Sequence, residues 1–265
     1  FTMNDDPEDI LNDSLAFLGG QPVIDDSFVY YGPLTLQIAQ KANTLLADHL
    51  FSPALYLAER IERGLFPVQS GLKYFVAIEL GAGTGLPSLL LATTPNHPAL
   101  AVVTDYPDEN ILGNLKKNLE NNRPNFQPAC RVECTGYEWG TDAGSLLKLL
   151  QDPSPRQISQ QGYDIVILSD LLHFHGSHDV LISSIRVLLS RSEDSKVHVS
   201  AGKYTRRNVC EDFLRKGREA GLIFDEIFTG PEEAGWKGTM KVRGLDQEAL
   251  AVRKANCYYW VGRWA

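Results

Sequence analysis

The chain is poor in cysteine and methionine, with four of one and two of the other in 265 residues, and it has no long apolar run. Four cysteines are too few for a disulfide-built scaffold. Cys130 and Cys134 form the one close pair, but they sit in a stretch that reads as a strand, and no His/Cys pair stands at zinc-site spacing from them. Free thiols in a reducing compartment are expected, without a structural metal. No window reaches the roughly 18 to 20 consecutive apolar residues of a membrane span, and the first residues show no basic segment leading into an apolar one. These absences lead to the expectation of a soluble, unsecreted, cytoplasmic protein with no membrane partner, the nucleus being left open. Positive charge is also in deficit: 25 Lys and Arg face 33 Asp and Glu, a net charge of −8. That balance argues against nucleic acid as a partner, because affinity for it rests on neutralising phosphates. Lys203, Arg206, Arg207, Arg215, Lys216 and Arg218 do lie close together, and they read best as the solvated face of a helix.

What is present is an ordinary globular composition, 43% hydrophobic with 22 Gly and 14 Pro, enough for one sizeable core. Residues 1–30 are acidic and weakly patterned. Over 34–61, Leu34, Ile38, Ala42, Leu45, Leu46, His49 and Leu50 recur at helical spacing. Residues 1–70 are thus expected to be an extension and helical lead-in packed on a core domain at 71–265. From residue 74 the pattern alternates. Strands are expected at 74–80, 99–104, 129–135, 163–169 and 196–201, and helices at 87–94, 108–121, 143–150, 178–189 and 206–220. Such βαβ units imply a parallel sheet covered on both faces. The last two strands, 222–228 and 257–264, are joined by a polar segment, 229–256, without a helical pattern, which suits an antiparallel hairpin closing the sheet edge.

The strongest local signal is Glu79-Leu80-Gly81-Ala82-Gly83-Thr84-Gly85, which ends the first core strand just before a helix. Glycines there permit positive φ and close approach of a ligand to the backbone, and a helix N-terminus offers free N–H groups to a carboxylate. A nicotinamide dinucleotide site wants Gly-x-Gly-x-x-Gly. Here the third glycine comes one position early and an acid opens the motif, which favours S-adenosyl-L-methionine. Asp105, with Tyr106 after it, ends the second strand twenty residues past Gly85, where a carboxylate can accept both hydroxyls of a ribose; its competing reading is a residue at the start of the next helix. Trp139, after the third strand, stands either beside an adenine or in the core. Ser169 and Asp170 end the fourth strand, whose carboxyl edge must border the ligand crevice. His173, His175 and His178 follow. Their spacing occurs at zinc hydrolase sites, but Ser177 stands where such sites carry an acid, and a loop at the rim of the active site is the preferred reading.

As a set, these residues resemble the seven-strand (class I) protein-lysine methyltransferase family, methyltransferase-21-like, and within it the fungal branch labelled nicotinamide N-methyltransferase-like. The matching pieces are 79–85 with Leu86-Pro87, then 103–108, Asn114 to Asn118 with Asn122, Trp139-Gly140 and 163–170, and the similarity runs from about Tyr31 to the C-terminus. The resemblance implies an α/β, Rossmann-like seven-stranded and mostly parallel sheet with helices on both faces, and S-adenosyl-L-methionine as methyl donor. It would place Tyr31, Glu79, Gly81, Ala82, Gly83, Gly85, Asp105, Tyr106, Trp139 and Ser169 at the donor. Three positions depart from the family: Tyr31 replaces a tryptophan, Ser169 replaces a common alanine, and His173 replaces an aromatic residue.

The reaction expected is N-methylation, with Asp170, His173 or Tyr204 orienting the acceptor or taking its proton. A protein lysine or N-terminal amine is the first expectation, and a small amine such as nicotinamide the second. A donor-binding partner module without activity is the rival from another class. The oligomeric state is left open.

Overall fold

The computed structural model describes residues 28–38, 50–66, 75–151, 161–228 and 230–265. Nine strands and seven α-helices occur among them. The strands are β1 (Phe28–Tyr31), β2 (Leu34–Gln37), β3 (Val76–Leu80), β4 (Leu100–Asp105), β5 (Arg131–Gly136), β6 (Ile165–Ser169), β7 (Lys196–Gly202), β8 (Leu222–Glu226) and β9 (Cys257–Trp264). The helices are α1 (Ser52–Glu62), α2 (Leu86–Thr93), α3 (Glu109–Asn122), α4 (Gly144–Lys148), α5 (His178–Leu188), α6 (Arg207–Glu219) and α7 (Gln247–Ala255). Seven strands form one sheet in the order β5-β4-β3-β6-β7-β9-β8, in which β9 alone runs antiparallel to its neighbours.

The central strands are apolar on both sides because both sides are covered. Ala77, Ala101, Val103, Ile165 and Ile167 face one core with the apolar sides of α1, α2 and α3. Their alternates Val76, Ile78, Val102, Val166 and Leu168 face a second core with Leu146, Leu181, Ile185 and Phe213 of α4, α5 and α6. One face per parity is what a period of two requires. The α/β class and the alternation of strands and helices agree with the sequence reading, with ends shifted by one or two residues.

Two expectations are corrected. The helical lead-in does not include 34–37: β1 and β2 form an antiparallel hairpin turning at Gly32-Pro33. Gly32 takes φ +51 and has no room for a side chain, since a Cβ would lie 2.6 Å from Met240 Sδ. Leu34 and Leu36 are both fully buried while Thr35 and Gln37 are not, a two-residue alternation that the sparse helical spacing concealed. Residues 39–49, the centre of the expected helix, lie outside the described residues, and the last part of the expected stretch is helical from Ser52, in α1.

The second correction is α7, which lies in the segment read as free of helix. Asp246 caps it, accepting the Ala249 N–H at 2.8 Å. Its buried side carries Leu250, Arg253 and Lys254, so cations stand where a pattern search seeks apolar residues. Lys254 instead pairs with Glu59 of α1 at 2.8 Å, both side chains out of water. Between β8 and α7 the chain returns across the N-terminal hairpin. Gly32 N–H donates to Lys241 O at 3.0 Å and Arg243 N–H to Tyr30 O at 3.1 Å, and Glu62 accepts from Tyr31 Oη and from the Thr239 and Met240 amides.

On this side of the sheet His198 of β7 is fully buried, stacked on Phe66 with ring centroids 3.8 Å apart. Its Nδ1 shares a 2.7 Å hydrogen bond with the Tyr259 hydroxyl. Burial, aided by Arg60 and Lys196, pushes its pKa down to about 3. An unfolded histidine takes up a proton near pH 6.5, so this residue favours the folded state fully above about 6.5, and that contribution is lost as pH falls toward 3. His198→Phe is expected to flatten the acid limb of a urea-unfolding series by up to about 1.4 kcal/mol per pH unit between pH 6 and 4; an unchanged slope would show that other groups set it.

Candidate active site

The chain runs from β3 outward through β4 to β5 and then crosses back to β6 on the other side of β3. Loops leaving β3 and β6 therefore diverge, and a crevice opens at their carboxyl ends. A cavity of about 290 Å³ occupies it.

The loop after β3 forms one wall. Gly81, Gly83 and Gly85 take φ of +58, +55 and +80, angles that other residues rarely adopt. A Cβ on Gly81 would fall 2.8 Å from Leu171 and 3.0 Å from Trp139, so this glycine admits both side chains to the cavity floor. Asp105 holds the loop from β4. One carboxylate oxygen accepts the Gly83 N–H at 2.6 Å and the other accepts the Tyr106 N–H at 2.7 Å, leaving further lone pairs on a side chain that lines the cavity. Burial raises its pKa and these two amides oppose the rise. Tyr106 stands at the mouth, 45% exposed. Trp139 and Phe174 both line the cavity and pack edge to face, centroids 5.7 Å apart.

Asp170, at the end of β6, is the only non-glycine residue with positive φ among the described residues, at 63°. Such a conformation strains any side chain. It is maintained because Asp170 N–H donates to Ser200 O at 2.8 Å, while its carboxylate accepts from Gly202 N–H at 3.2 Å and from the Tyr204 hydroxyl. Burial raises its pKa, and His173, Tyr204 and Gly202 oppose the rise. This conformation turns the chain so that Leu171, His173 and Phe174 all line the cavity. Both ring nitrogens of His173 are buried; burial lowers its pKa, with the Asp170 charge and the Asp170 backbone acting the other way.

Gly81, Ala82, Gly83, Asp105, Tyr106, Trp139, Ser169, Asp170 and His173 thus surround one cavity. Four residues expected at the donor or in proton transfer, Glu79, Gly85, Tyr31 and Tyr204, lie outside its lining. Glu79 is fully buried beneath the loop, where its carboxylate accepts the Ser88 N–H of α2 at 3.1 Å and burial pushes its pKa to about 8. Gly85 starts α2. Tyr31 lies in the core with its hydroxyl on Glu62 at 2.7 Å. Tyr204 reaches the cavity only through Asp170. Sequence reasoning missed Phe51 and Phe174, which line the cavity yet carry no motif. The histidines diverge: His173 lines the cavity, His175 is exposed, and His178 is buried with Nε2 donating to Leu172 O at 2.8 Å. Among the described residues no three His, Cys, Asp or Glu side chains converge as for a metal. In the basic cluster, Arg207, Arg215 and Lys216 are paired with acids.

Strand order, glycine loop, Asp105 and switch-point cavity together define a Rossmann-like α/β methyltransferase. The lysine methyltransferase family matches this chain over residues 32–219, and the chain belongs to that family. It is 32% identical over 201 residues to the Protein N-terminal and lysine N-methyltransferase EFM7 of Gibberella zeae, covering 74% of this chain and 72% of that protein. The proteins of the same name from Candida glabrata and Candida albicans are 29% and 30% identical, over 79% and 57% of this chain and 74% and 55% of their own lengths.

The Asp170 arrangement depends on Gly202, where a Cβ would overlap the Tyr204 ring. Gly202→Ala is expected to push the phenol off Asp170 and to destabilise the protein by about 1–3 kcal/mol, read as a lower urea midpoint. An unchanged midpoint would mean that the contact is dispensable.

Proposed function

We propose that the cavity binds S-adenosyl-L-methionine and that the enzyme transfers the methyl group to an amine of a protein, a lysine side chain or an N-terminus. The observation that carries the donor reading is the glycine loop clamped by Asp105 inside the cavity, whose shape and chemistry suit an amino acid joined to a nucleoside. Asp105 presents acceptor lone pairs to ribose hydroxyls, Trp139 and Tyr106 supply flat surfaces for adenine, and Gly81, Ala82 and Gly83 let the donor approach the backbone. Glu79 acts from below by fixing α2, whose N-terminus follows the loop. Ser169 lines the floor. The choice of a protein amine follows from the similarity to protein N-terminal and lysine N-methyltransferases.

Bound there, the donor supplies an electrophilic methyl group with a neutral thioether as leaving group. The residues on the other side must deliver an unprotonated amine. A lysine near pKa 10.4 arrives as an ammonium, and His173, kept neutral by burial at the cavity wall, takes its proton. Leu50, Phe51 and Phe174 keep water out, which favours the neutral amine. Asp170 and Tyr204 hold the turn that aims His173, and the Asp170 charge stabilises the imidazolium once formed.

Calorimetry is expected to show S-adenosylhomocysteine binding and no binding of NAD. Asp105→Ala should weaken the former by about 1.5–3 kcal/mol, the range for hydrogen bonds to a charged group; NAD as the tighter ligand would overturn the donor reading. With a methylated acceptor in hand, kcat/KM should rise with pH through a group below about 6.5, the direction that burial imposes on His173. His173→Phe is expected to lower kcat/KM about a hundredfold and remove that limb, with S-adenosylhomocysteine affinity unchanged. Retention of the limb would take His173 out of the proton path.

A further inference from the structure

Three asparagines on one side of α3, Asn114, Asn118 and Asn122, point at the edge of β2 that β1 leaves unpaired. All three are buried, Asn118 completely. Asn122 accepts the Thr35 N–H at 2.9 Å and donates to Thr35 O at 2.7 Å. One turn earlier, Asn118 accepts the Gln37 N–H at 2.7 Å and donates to Gln37 O at 2.9 Å, where Asn114 also donates at 2.8 Å. Each of the first two amides thus replaces a neighbouring strand, exchanging a pair of hydrogen bonds with one residue. The spacing permits this, because four helical residues rise about 6 Å and two strand residues about 6.6 Å.

Asn118 differs from the other two. Its side-chain nitrogen also donates to Thr84 O at 3.1 Å, and Thr84 lines the cavity between Gly83 and Gly85. Both N–H bonds of this one amide are therefore used, one on the hairpin and one on the glycine loop. Asn122 spends its second N–H on Asn118 O, at 2.7 Å within its own helix.

From this geometry we infer that Asn118 is a positioning residue for the donor, fixing the glycine loop in its binding conformation and coupling donor occupancy to the order of the β1–β2 hairpin. The inference rests on the donor reading above. Coupling of this kind is reciprocal: if the hairpin braces the loop through Asn118, a ligand on the loop braces Gln37. The asparagine ladder as a whole is structural, and Asn118 is the rung that also touches the site.

The test uses S-adenosylhomocysteine and the full chain. Asn118→Ala is expected to weaken its binding at least tenfold. Asn122→Ala, which removes the equivalent strand contacts without touching the loop, should lower the thermal midpoint similarly but change affinity less than twofold. In the unmodified protein, hydrogen exchange followed by NMR should show the ligand slowing the Gln37 amide several-fold more than the Thr35 amide, a measurement that stands if the Asn118 variant does not fold. Equal loss of affinity in the two variants, unchanged affinity in Asn118→Ala, or no protection of Gln37 while the Gly83 amide is protected would each overturn the inference and leave the donor reading intact. Failure of the unmodified protein to bind S-adenosylhomocysteine would overturn both.

Discussion

The site depends on a constraint of connectivity at the middle of the sheet. β3 is hydrogen-bonded to β4 on one side and β6 on the other, so the chain must leave β3 toward one edge and leave β6 toward the opposite edge. Main-chain hydrogen bonds cannot close the gap that results, because the backbones on its two sides move apart. It must be bordered by side chains and by loop amides. The glycine loop, the Asp105 clamp and the turn at Asp170 are three ways of finishing strands that end at this gap.

The clamp and the turn each rest on a carboxylate that accepts backbone N–H groups, and Glu79 below the loop does the same for α2. An ionised carboxylate out of water is costly unless hydrogen-bonded, and burial raises the pKa of all three. Their partners differ in kind. Glu79 accepts the Ser88 amide on one oxygen while the other has no partner, and burial pushes its pKa up to about 8. Asp105 and Asp170 each have two donors. The cavity is thus lined by Asp105 and Asp170, each held by two N–H or O–H donors, while Glu79 lies beneath the loop with fewer.

How much of this was legible in the sequence follows from where each signal comes from. The central strands could be read because burial on both faces makes them apolar throughout, and the glycine loop could be read because positive φ at Gly81, Gly83 and Gly85 restricts the residues allowed there. The hairpin at 28–37 was hidden by four-residue strands too short to establish a period. Helix α7 was hidden because Arg253 and Lys254 are buried, the latter by its pairing with Glu59. Glu79 lay in a legible motif, yet its parity with Ala77 turns its side chain away from the cavity and toward α2. Tyr204 was legible only as a tyrosine near the rim; that its hydroxyl meets Asp170 depends on Gly202 being small enough for its ring. Phe51 and Phe174 could not have been chosen, since an aromatic residue before a helix or in a loop carries no mark of the cavity it faces.

The place of β9 bears on how the chain is made. β8 touches the sheet only through β9, and β9 lies between β7 and β8. During synthesis the first five strands of the sheet can assemble as they emerge, but β8 then has no neighbour and the edge of β7 stays open until residues 257–264 arrive. Open strand edges pair readily with other chains. A nascent chain halted before β9 would therefore present two unsatisfied edges, β7 and β8, so that premature termination in this stretch yields a sticky particle rather than a slightly shortened enzyme.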